Sequence, residues 1–141
     1  MGTDLARRLL ASENYTCVIV SAEGVLTSRE RGILPLMKWI ESGADLRGAV
    51  AADRIVGRAA ALLYAHMGIS ELYAEVLGEG GQKVLRDHGI AHGYGTLAVR
   101  IVNRSGTDIC PMEKTVAQIS DPAEAFSALR EKMLEMGLLN A

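Results

Sequence analysis

The chain has 141 residues, 49% hydrophobic and 23% charged, a balance that buries a core within one ordinary domain and excludes a disordered chain. A formal charge of -2 with scattered basic residues gives no electrostatic footprint for duplex nucleic acid, and 4% aromatic residues give no platform for stacking unpaired bases. No apolar run approaches the roughly 20 residues that span a bilayer, and Cys17 and Cys110 suggest no disulfide framework, so no membrane contact and a reducing, cytoplasmic location are expected.

Thr3–Ser12 reads as a first helix, with Leu5, Leu9 and Leu10 at helical spacing and Asn14 ending it. The period then changes to two. Tyr15–Val20 and Gly24–Thr27 are β-prone runs on either side of a tight-turn composition, Ser21-Ala22-Glu23-Gly24, which predicts a hairpin. Ile33, Leu36, Met37 and Ile40 recur at three- and four-residue steps before Gly43, and Pro35 falls in the first turn, where a missing N–H does least harm. A second helix is expected there.

Leu46–Ala52 predicts a third strand, and Ile55–Met67, apolar almost all round and closed by Gly68, a buried helix. Glu71–Leu77 alternates as a strand, and Gly80–His88 forms a helix stopped at Gly89. Thr96–Val102 is the last predicted strand, and Pro111–Ile119 a short helix opened by its proline. In Asp121-Pro122-Ala123-Glu124 a capping side chain, a proline and a glutamate take the first positions of a final helix, ahead of the stripe Phe126, Leu129, Met133 and Met136.

Strands three to five are each separated by a helix and are therefore parallel, whereas the hairpin is antiparallel. The expected fold is α/β: a three-layer α/β/α sandwich around a mixed five-stranded sheet, with residues 1–141 forming one domain. This layout resembles the cytidine-deaminase-like superfamily. The stretches Asp53–Ala61, Tyr73–Val76 and Ile109-Cys110-Pro111-Met112-Glu113-Lys114 are similar to the domain of unknown function 1893 family, a small prokaryotic family related in fold to the deaminases. The resemblance implies a fold more firmly than a reaction.

Zinc deaminases carry H-x-E or C-x-E after the hairpin and P-C-x-x-C after the third strand. Counting elements places Ser28-Arg29-Glu30 in the first slot and Ala52-Asp53-Arg54-Ile55-Val56 in the second. Glu30 keeps the carboxylate of the general acid/base, but Ser28 and Val56 cannot supply the three or four Cys, His or carboxylate ligands that hold zinc. No C-x-x-C occurs in the chain, and His66, His88 and His92 are poorly placed as substitutes, so no metal or other cofactor and no zinc-dependent deamination are expected.

In parallel α/β sheets, ligands lie beyond the carboxyl ends of the strands, where helix N-termini present free N–H groups. Three segments are expected to converge there: Asp53, Arg54, Gly57 and Arg58; then Glu79 with Gly80-Gly81; then Asn103 and Arg104 with Cys110, Glu113 and Lys114. Asp53 is a hydrogen-bond acceptor for a ligand amide or ribose, or else a helix N-cap. Lys114 and Arg104 suit a phosphate, with Gly78–Gly81 supplying backbone N–H groups.

Cys110, before Pro111 at a helix start, is a candidate nucleophile or one half of a capping box with Glu113. Glu30 and Glu75 are candidate acid/base groups. The leading reading is a small-molecule-binding protein with a nucleotide-like or nucleoside-like ligand. The alternatives are a metal-independent enzyme using Cys110 or Glu30, and an interaction protein forming a homo-oligomer through the Met-rich stripe and Leu138-Leu139.

Overall fold

A computed structural model of the chain describes residues 2–99 and 110–139. In order they form α1 (Asp4–Ser12), β1 (Cys17–Ser21), β2 (Gly24–Ser28), α2 (Leu34–Glu41), β3 (Val50–Val56), α3 (Arg58–Met67), β4 (Glu71–Gly78), α4 (Glu79–Asp87), β5 (Ala91–Ala98), α5 (Pro111–Thr115) and α6 (Pro122–Glu135). One five-stranded sheet runs β2-β1-β3-β4-β5. β1 pairs antiparallel with both β2 and β3, while β3, β4 and β5 run parallel. The expected mixed sheet with helices on both sides is what forms.

The two faces are covered unequally. On one, Val18 and Ala52 pack against Ala6 and Leu10 of α1. The stripe turned inward is therefore 6 and 10, whereas Leu5 stays 44% exposed. On the other face, Ile19, Ala51, Leu72 and Ala74 meet α2, α3, α4, α5 and α6 in one cluster that contains every residue of α3 from Ala59 to Tyr64. Such all-round burial suits the small, apolar sequence of that helix.

Two boundaries differ from the sequence reading. Ile55 and Val56 belong to β3, pairing with Val76 and Leu77 of β4, and α3 starts only at Arg58 after an extended Gly57. Short β-branched runs satisfy either period, and here strand pairing prevails. The last strand covers 91–98 and not 96–102, whose end lies outside the described residues. Gly93 and Gly95 disguise it, since glycine is depleted in strands. The bareness of Gly95 has a packing reason, because a Cβ there would stand 2.9 Å from the Glu75 carbonyl oxygen and 3.3 Å from the Tyr73 hydroxyl.

Helix α5 stops at Thr115, short of Ile119, and α6 opens as expected, with the Asp121 carboxylate accepting from the Glu124 amide. Met133 is buried but Met136 is 44% exposed, so the methionine stripe divides between core and surface. Leu138 is 49% exposed, whereas Leu139 packs on the core. Among the described residues, no helix is long and apolar enough to cross a membrane.

Candidate functional site

Alternation along β3 separates the residues expected to share one site. Consecutive strand residues point to opposite faces, and Asp53 turns toward α3 while Arg54 turns toward α1. The Asp53 carboxylate accepts from the Tyr64 hydroxyl at 2.6 Å, and the same hydroxyl lies 3.1 Å from the Cys17 thiol. All three groups are buried. Asp53 is therefore neither a helix cap nor a strand-end ligand group; it sits in the core under the middle of α3.

Burial pushes the Asp53 carboxyl up to about 7, against the hydrogen bonds from Tyr64 and from the backbone of Ile55 and Arg54 that favour its charged form. Burial, and then the neighbouring Asp53, also pushes the Cys17 thiol and the Tyr64 phenol well above their usual ranges. At neutral pH the trio holds at most one shared negative charge, on the carboxyl.

The helix start that was expected to receive a ligand is closed by the chain itself. The Glu113 carboxylate accepts from the Arg58 amide at 2.7 Å and from the Ala59 amide at 2.8 Å, so α5 caps α3 from outside. The Arg58 guanidinium donates to the carbonyls of Val116 and Ile119 and to the Ser120 hydroxyl. Gly57, Arg58 and Glu113 do come together, as a join between two helices whose anion is already in place. Gly81 belongs to the same join, because a Cβ there would lie 2.8 Å from the Gly57 carbonyl oxygen. Close packing of α4 on the start of α3 explains this glycine without a phosphate.

Glu79 opens α4 directly after the buried end of β4 and is itself exposed, and Lys114 is exposed on α5. Asn103 and Arg104 lie outside the described residues. Cys110 precedes α5, half-buried against the core and making no side-chain cap bond, so the capping-box reading gives way to Glu113 reaching across to α3. Glu30 is on the surface, four residues before α2, where its carboxylate takes the Lys38 ammonium at 2.7 Å with both side chains about half exposed. Neither deaminase slot falls where element counting put it, since α3 begins at Arg58 and α2 at Leu34. His66 is exposed and stacks on Phe126 of α6, with ring centroids 5.4 Å apart. Among the described residues, no group of three His, Cys, Asp or Glu side chains is arranged to hold a metal ion.

The cleft on the other face escaped the sequence reading. A cavity of about 620 Å³ is lined by Asp4, Arg7, Arg8, Leu10 and Ala11 of α1 and by Tyr73 and Glu75 of β4. Helix α1 packs mainly on β1 and β3, and among the described residues no helix covers the β4–β5 side of this face beside it. The Arg7 guanidinium lies 3.9 Å from the centre of the Tyr73 ring, a cation–π stack. At the rim, Arg54 donates to Glu75 at 2.6 Å, to the Leu10 carbonyl at 2.6 Å and to the Tyr15 carbonyl at 2.9 Å, tying the end of α1 to the sheet. A signal was present in the sequence: Asp4, Arg7, Arg8 and Ala11 share one helical face.

A family model described as a domain of unknown function (DUF1893) matches residues 5–133, nearly the whole chain. The chain belongs to the DUF1893 family. A DUF1893 family protein from Thermotoga maritima has a solved structure with a TM-score of 0.84 at 22% identity, covering 92% of this chain and 88% of that one, which establishes a shared fold. A diaminohydroxyphosphoribosylaminopyrimidine deaminase/5-amino-6-(5-phosphoribosylamino)uracil reductase from Thermotoga maritima has a TM-score of 0.41 at 18% identity. That match covers 71% of this chain and 33% of the other, a likeness too slight to carry an argument. No curated protein matches.

The two thiols of this DUF1893 protein differ in access, and a thiol reagent is expected to show it. Cys17 is 2% exposed and Cys110 half-buried, so the native protein should titrate one thiol promptly and the second only on unfolding. The prompt reaction should disappear in Cys110→Ser. Two fast thiols in the native protein would mean that the Cys17–Tyr64–Asp53 trio is open to solvent. If Cys110 reacts no faster than in a denatured control, it is not an activated nucleophile.

Proposed function

We propose that this chain is a small-molecule-binding protein on a deaminase-like scaffold without catalytic zinc, and that its ligand lies in the α1–β4 cleft. The observation that carries the reading is the cluster of Arg7, Arg8 and Tyr73 around a cavity of about 620 Å³, within the usual range of small-ligand sites. The Arg7 guanidinium covers the Tyr73 ring at 3.9 Å, and its outer plane suits stacking of a planar heterocycle. Arg8 suits a phosphate, and Glu75 is already paired with Arg54. A nucleoside monophosphate combines the two features. The strand-end alternative loses support because Glu113 already fills the N-terminus of α3.

Isothermal titration with adenosine, guanosine, cytidine and uridine monophosphates tests the reading. At least one is expected to bind, with an affinity that falls about tenfold in Arg8→Ala and again in Tyr73→Ala, the scale of losing one charge-assisted contact or one stacking partner. Binding unchanged in both variants would move the site elsewhere. No heat and no thermal stabilisation from any of the four at millimolar concentration would remove the nucleotide-like ligand.

A further inference from the structure

We propose that β5 is a self-association edge, on which a second copy of this chain adds its own β5 antiparallel, joining two five-stranded sheets into one of ten strands. β5 is last in the sheet order and, among the described residues, no strand lies outside it. It is eight residues long, and its sequence, Ala91-His92-Gly93-Tyr94-Gly95-Thr96-Leu97-Ala98, contains no proline, lysine or other fully charged side chain. Protected edges usually carry one of those or a bulge, because an exposed row of backbone donors and acceptors recruits another strand. β4 and β5 stay in continuous register from Glu71 opposite Ala91 to Gly78 opposite Ala98. Tyr94 is 42%, Leu97 37% and Val99 77% exposed, which gathers three large apolar side chains within six residues of this edge.

A second copy matches the edge in length by identity. Two-fold antiparallel pairing sets each residue opposite one of the same uncharged strand, so no like charges meet across the join.

The test is mass in solution by light scattering and sedimentation. At tens of micromolar the native chain is expected near twice its 15.1 kDa, and Tyr94→Lys/Thr96→Lys near the single mass, because it faces lysines across the two-fold axis. Both substituted positions are exposed, and an unchanged far-ultraviolet spectrum with a melting temperature within a few degrees shows that the variant folds. Amide exchange across residues 91–98 should be at least tenfold slower in the native dimer than in the variant. A native monomer overturns the proposal, and so does a dimer that persists in the lysine variant or leaves exchange in β5 unchanged. Should the double variant fail to fold, Thr96→Lys alone with the same exchange measurement decides between these outcomes.

Discussion

Raising the pH from 5 to 8 is expected to destabilise the native protein by about 2–3 kcal/mol, and Asp53→Asn is expected to remove most of that slope. The Asp53 carboxyl titrates at about 7 in the fold, against an ordinary value near 3.9 in the unfolded chain. Between those values the folded state holds a proton that the unfolded state has released. Its contribution is fully present below about pH 4, declines as the pH rises toward 7, and is gone above that. This is the reverse of a salt-bridged carboxylate.

Cys17 and Tyr64, both pushed upward by burial, stay neutral across the window and do not compensate. Asp45 and Asp87, held low by hydrogen bonds from Arg47 and Lys83, act in the opposite sense, but they are exposed and affect only the acid end. Asparagine keeps the shape and can still accept from the Tyr64 hydroxyl, so Asp53→Asn should be the more stable protein at pH 8. Urea denaturation of both proteins at half-unit pH steps gives the two curves. Parallel curves would mean that ionisation of Asp53 is not linked to folding.

Removing the outside cap of α3 should be nearly as costly. Glu113→Ala is expected to lose about 2–3 kcal/mol in urea denaturation with an unchanged m-value, since two partly buried amides, of Arg58 and Ala59, lose a charged acceptor together. Glu113→Gln keeps one carbonyl oxygen but not the charge that faces the helix dipole, and should lose about half as much. A loss below about 0.5 kcal/mol in the alanine variant would show that water replaces the carboxylate there without cost.

Much of the architecture was legible because local patterns and tertiary structure agree. The 121–124 cap, the turn at Ser21–Gly24 and the helix stops at Gly68 and Gly89 all stand where the residues put them. Errors arose where one composition served two periods, as with Ile55 and Val56, or where packing overrode propensity, as in glycine-bearing β5 beneath Tyr73. The site was less legible than the fold. Asp53 and Arg54 are neighbours in sequence but face opposite sides of the sheet, and Glu113 meets α3 from a distant segment with no local pattern to announce it. The cleft is formed by α1 and β4 together, segments about sixty residues apart in the chain, a meeting which no single segment encodes.

The Glu113 cap also orders events during folding. Its partner amide lies 55 residues earlier in the chain, so during synthesis α3 emerges with its first turn unsatisfied and keeps it so until α5 has been made. At about 5–20 residues per second the intervening chain takes seconds to be made, far longer than the microsecond or less in which a helix forms. The first turn of the most deeply buried helix is therefore among the last parts of the molecule to mature, and it waits on a segment made long after it.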